Sequence, residues 1–152
     1  MFTANANGLK NKIHSLKSHI KNLNIGIFTI QESMFCKRGK IDVEGFELFE
    51  AIRKKYGGGT VLGAHKGLDP ILINEYSDNF ELIVIEIRLG GKFIRVISGY
   101  GPQESWGIDI KMPFFMSLEE EIKKQNSQED PSYYALMQTQ KWAPNTSQMT
   151  YM

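Results

Sequence analysis

Cysteine is nearly absent from this chain. Cys36 stands alone among 152 residues, which excludes an internal disulfide framework and suits a reducing compartment. No apolar run reaches the roughly 18 residues of a spanning helix. The opening Met1-Phe2-Thr3 lacks the charged and apolar regions of a signal peptide. Neither sign of charge dominates, with 18 Lys and Arg against 17 Asp and Glu. That balance neither demands nor excludes a nucleic-acid partner, since a local basic patch is enough. Tyr56-Gly57-Gly58-Gly59 is not followed by the Gly-Lys-Ser/Thr of a phosphate loop and reads as a turn. Residues 131–152 contain Lys141 as their one charged side chain, unlike the charged composition usual in disordered tails.

What is present is enough for one domain with a real core. Residues 2–6 read as the end of a strand, followed by a turn at Gly8. Leu9, Ile13, Leu16, Ile20 and Leu23 recur at helical spacing and predict an amphipathic helix with His14 and His19 on its polar side. The apolar run 25–30 predicts a strand buried on both faces, completing a strand–helix–strand unit with a right-handed crossover. Ile41 to Glu50 reads as a broken strand pair, and Thr60 to His65 as a strand. Phe80 to Leu89 and Lys92 to Ser98 read as a hairpin closed by Gly90-Gly91. Crossover and hairpin together predict an α/β fold with a mixed sheet. A further helix near Pro113 carries Phe115, Leu118 and Ile122 as its apolar stripe and Glu119-Glu120-Glu121 as its wet side.

Three polar residues stand at the carboxyl ends of predicted strands, where α/β folds place chemistry. Asn5 could orient a phosphate oxygen or a metal-bound water, or simply form a turn with Asn7-Gly8. Glu32 could ligate magnesium, which takes one or two carboxylates and keeps several waters, or be an ordinary loop carboxylate. Tyr100, flanked by Gly99, Gly101 and Pro102, offers a phenolic hydroxyl, or plugs a strand end. None decides the matter alone.

Together, in the order Ala4-Asn5-Ala6-Asn7-Gly8-Leu9, then Gln31-Glu32, then Ser98-Gly99-Tyr100-Gly101-Pro102-Gln103, they resemble the first half of the endonuclease/exonuclease/phosphatase superfamily. The wording is most similar to the endonuclease domain of a non-LTR (LINE-type) retrotransposon reverse transcriptase. The resemblance implies the four-layer α+β sandwich of that family, here an incomplete half with a mixed β-sheet and flanking helices. It implies Asn5 and Tyr100 as catalytic residues, Asn7 as a supporting residue, and Glu32 as ligand of Mg2+, with Mn2+ as a substitute. It also implies DNA as the partner and phosphodiester hydrolysis as the reaction. Lys37, Arg38 and Lys40 would meet phosphates, with Arg53, Lys54 and Lys55 as further basic candidates.

The likeness covers residues 1–124. The later Asp-x-Asn and Ser-Asp-His motifs of the family have no match, so the chain is expected to be inactive by itself. Two alternatives follow: a non-catalytic remnant that binds nucleic acid weakly, or a phosphoesterase acting on small esters. Residues 125–152 are expected to be a disordered, non-family tail produced by a frameshift. Read from the third base of each codon, that stretch permits Asp-Ala-Asn after an apolar run. Half a sandwich would also expose Ile83, Ile85, Ile94 and Val96, and so predicts self-association through the sheet. No membrane contact is expected. An intracellular location is, with access to the nucleus if DNA is the target.

Overall fold

The computed structural model describes residues 1–34, 41–52, 58–78, 80–102, 105–126, 134–140 and 150–151. In chain order the strands are β1 (Phe2–Asn5), β2 (Ile27–Gln31), β3 (Phe46–Ala51), β4 (Thr60–His65), β5 (Ile71–Tyr76), β6 (Glu81–Leu89), β7 (Lys92–Tyr100), β8 (Tyr134–Gln140) and β9 (Thr150–Tyr151). The helices are α1 (Ile13–Asn22), entered through a 3-10 turn at Lys10–Lys12, and α2 (Ile108–Asn126). The strands form two sheets, and each mixes parallel and antiparallel pairs as expected. The first runs β3-β4-β2-β1-β9 and the second β5-β6-β7-β8.

Alternation along each strand sorts the side chains into layers. Phe2, Phe28, Ile30, Phe46 and Val61 cover one face of the first sheet, under Leu16 and Ile20 of α1. On the opposite face Phe49, Ala51, Leu62 and Ala64 meet Ile83, Ile85, Ile87 and Val96 of the second sheet. The outer face of that second sheet presents Leu82, Val84 and Ile97 to Phe114 and Leu118 of α2. The order is therefore helix, sheet, sheet, helix, an α/β sandwich with an apolar cluster in each of its three interfaces.

That order corrects the expectation of an uncovered sheet. Ile83, Ile85 and Val96 are wholly buried, and Ile94 packs partly buried against the same cluster. Strands β3 and β4 supply their cover, so self-association through this face loses its basis. The hairpin is as expected: both Gly90 and Gly91 have positive φ, 59° and 78°, the backbone a tight primed turn requires. The β1–α1–β2 unit is parallel, as the crossover demands. Residues 46–51 form one strand, not a pair. α2 begins five residues before Pro113 and buries Phe114 rather than Phe115, which is 55% exposed. Glu121, expected on the wet side, is completely buried, because it follows Phe114 and Leu118 on the same helical face. Strands β8 and β9 form where the composition shows no period of 2; their backbones pair with the edges of β7 and β1. Among the described residues no helix is long and apolar enough to cross a membrane.

Candidate functional site

β1 and β2 run parallel with Asn5 opposite Gln31, and their ends stay joined past the last paired residue. Ala6 N donates to Gln31 O at 2.8 Å, Gly8 N to Glu32 O at 2.8 Å and Leu9 N to Ser33 O at 3.0 Å. On the other side Ser33 N donates to Gly59 O and Met34 N to Gly58 O, each at 2.9 Å. Glu32 is held between these two ladders with φ +51°. A non-glycine residue in that region costs of order 1 kcal/mol or more and persists only where its surroundings enforce it.

The enforced turn aims Glu32 at the second sheet. Tyr100, at the end of β7 and 6% exposed, donates its hydroxyl hydrogen to Glu32 Oε1 at 2.6 Å. Two residues 68 positions apart thus meet across the top of the sandwich, where the ends of β2 and β7 converge. Asn5 lies one strand away from this pair. Its Oδ1 accepts from Asn7 N at 3.0 Å, an Asx turn that holds the carboxamide beside its own loop, and Asn7 takes φ +42°. Asn5 also lines a cavity of about 440 Å³ between β1 and α1, together with Lys12, Ser15 and His19. His14 is exposed as expected, whereas His19 stacks on Phe2. Lys37, Arg38, Lys40, Arg53, Lys54 and Lys55 lie outside the described residues.

Several polar groups lie behind the site. Thr3 and Thr29 share a buried hydroxyl–hydroxyl hydrogen bond at 2.9 Å, and Gln31 Nε2 donates to Thr29 Oγ1 at 3.1 Å. Gln31 Oε1 is buried with no hydrogen-bond partner among the described residues. Glu81 is a completely buried carboxylate. It has the same parity as the inward Ile83, Ile85 and Ile87, and a charge at such a position was the signal that could have found it.

The donor set bears on metal binding. Among the described residues no three His, Cys, Asp or Glu side chains converge on one point. Magnesium, however, is satisfied by one or two carboxylates and water. The partly exposed Glu32 carboxylate at the end of β2 is one carboxylate of the kind that requirement allows.

No protein-family model matches the sequence, and comparison with curated proteins finds no match. Solved structures do match. AP endonuclease LMAP from Leishmania major is similar with a TM-score of 0.68 at 14% identity, over 90% of this chain and 53% of that one. TDP2 from C. elegans gives 0.63 at 13% identity over 91% of this chain and 46% of that one. The 3' phosphatase NExo from Neisseria, bound to product DNA hairpin, gives 0.61 at 16% identity over 90% and 56%. The chain spans about half the length of these structures. This chain shares the α/β sandwich fold of these structures. At these identities the likeness is one of fold.

Proposed function

We propose that this chain is part of a metal-dependent phosphodiester hydrolase acting on DNA, of the retrotransposon endonuclease type. The observation that carries the reading is the hydrogen bond from Tyr100 to Glu32. It joins the two strand ends on which the sequence resemblance also falls. Two of the similar proteins are DNA enzymes by name, an AP endonuclease and a phosphatase bound to a DNA hairpin. The Ser98-to-Gln103 wording supports the retrotransposon branch over enzymes of small phosphate esters.

Glu32 would hold Mg2+ or Mn2+, which when bound neutralises charge on phosphoryl oxygens. The Tyr100 hydroxyl that donates to Glu32 can donate instead to a phosphate oxygen. Asn5 offers both a donor and an acceptor at the neighbouring strand end, and Asn7 holds it through the Asx turn. Lys37, Arg38 and Lys40 would add sequence-independent attraction to the DNA backbone. With Glu32 as the one carboxylate at the site among the described residues, the isolated chain is proposed to bind metal and DNA but to hydrolyse poorly.

Two measurements test this. Mn2+ titration by calorimetry should show a site lost in Glu32→Gln, and nicking of supercoiled plasmid should be weak, abolished by chelator and abolished by the same variant. Mn2+ binding or nicking that survives Glu32→Gln unchanged would remove Glu32 from the site and the reading with it.

A further inference from the structure

Among the described residues the end of β2 is tied to the second sheet by Tyr100 and by a second route. That route begins at Glu81, the first residue of β6. Its carboxylate accepts from Gly59 N through Oε1 at 2.8 Å and from Thr60 Oγ1 through Oε2 at 2.8 Å. Gly59 in turn accepts the hydrogen bond from Ser33 N at 2.9 Å, and Ser33 is the residue after Glu32. Glu81 is also the cross-strand partner of Tyr100. The links close a ring: Glu81 to Gly59, Gly59 to Ser33, Glu32 to Tyr100, and Tyr100 back to Glu81 through the β6–β7 register.

Gly59 is the tight point of this ring. It has φ +91°, and a Cβ placed there would come within 2.5 Å of Ser33 Oγ. Ser33 itself is buried, so the β2 end rests directly on the Gly59 backbone. A polar side chain in a dry core is costly unless hydrogen-bond donors meet it, and both carboxylate oxygens of Glu81 meet one. Inner-face packing alone would be served by another isoleucine, as at residues 83 and 85. The carboxylate does what an aliphatic side chain cannot, which is to grip the backbone that supports Glu32.

We propose that Glu81 is a positioning residue for the Glu32–Tyr100 site: through Gly59 and Ser33 it sets the left-handed turn that points Glu32 at Tyr100. The functional meaning of this role rests on the phosphodiesterase reading, but the coupling itself does not.

The test uses the whole chain without metal or DNA. Amide exchange is followed at Ser33 and Met34, and the Tyr100 ring-carbon resonance, assigned with Tyr100→Phe, is followed in 13C-tyrosine-labelled protein. In Glu81→Gln, Ser33 and Met34 should exchange roughly tenfold faster, the loss expected for one weakened hydrogen-bonded link. The Tyr100 resonance should move toward its position in Glu32→Gln, while the amides of Ile85 and Leu118 keep their protection. Unchanged Ser33 exchange and an unchanged Tyr100 resonance would overturn the proposal. So would a uniform loss of protection reaching Ile85 and Leu118, which marks a merely structural carboxylate. If Glu81→Gln fails to fold, Thr60→Val, which deletes one donor, decides: a smaller shift in the same direction supports the role, and none refutes it. Absence of Mn2+ binding in the wild type would sink the metal reading and leave this coupling standing.

Discussion

Gly63→Ala is the substitution whose cost the structure predicts most sharply. Gly63 sits in β4 directly opposite Phe28 of β2. A Cβ built on it would lie 2.3 Å from two carbons of the Phe28 ring and 2.9 Å from a third. Ordinary carbon–carbon contacts lie at about 3.5–4.0 Å, so ring and strand must part by more than an ångström. The ring has little room to yield. Phe28 is 1% exposed, and its ring packs against that of Phe46 with centroids 5.4 Å apart. Overpacking of this kind costs roughly 1–3 kcal/mol, and this site belongs at the upper end, about 3 kcal/mol. Urea denaturation followed by circular dichroism measures it. The clash also predicts its own rescue: Phe28→Leu, destabilising alone, should recover at least about 1 kcal/mol of the loss when combined with Gly63→Ala, since contacting residues are not additive. A Gly63→Ala cost below about 0.5 kcal/mol, or strictly additive effects, would refute the packing described for β2 and β4.

Tyr100→Phe deletes the donor to Glu32 and should cost about 1 kcal/mol, the value of an ordinary hydrogen bond, because Glu32 is partly exposed and water can replace the hydroxyl; a neutral or stabilising effect in urea would show that the bond does not form in solution. Glu121 gives an acid-sensitive contribution. Burial alone would raise its pKa, but hydrogen bonds from Asn74, Tyr76 and Lys124 outweigh burial and hold it below the ordinary carboxylate range. Its stabilisation is therefore full above the unfolded-state value near 4.5 and lost as pH falls through the lower folded value. Glu121→Gln should flatten that part of the stability–pH curve, and an unaltered curve would exclude the network as its source. Burial, then the nearby Glu75, raises the pKa of Glu50. Ionised Glu50 thus opposes folding at neutral pH, and Glu50→Gln should raise the urea midpoint at about pH 7 but not below about pH 4; equal effects at both would contradict a charge origin.

Much of the scaffold was legible because it is built from local periodicity. Leu16 and Ile20 at helical spacing, the apolar run 25–30, and the Gly90-Gly91 turn each state their element within a few residues. Where the sequence reading went astray, distant partners decided the outcome. Ile83, Ile85 and Val96 seemed to lack cover because β3 and β4 do not announce that they fold back over them. Phe114 and Phe115 are adjacent and chemically alike, and only the packing of α2 on Leu82 and Ile97 selects the first. Strand β5 went unread, since Ile71, Leu72 and Ile73 are all substantially exposed at a sheet edge and show no alternation.

The sequence by itself determined the α/β class, the order of the principal strands and the residues at their polar ends, because strand and helix periods and turn chemistry act within a dozen residues. Only the tertiary structure decided that Glu32 and Tyr100 touch, that Asn5 stays one strand apart, and that Glu81 is buried behind them. Those facts depend on how two sheets stack and on backbone ladders between residues 8, 33 and 59, and such contacts between remote segments leave no periodic trace in the chain.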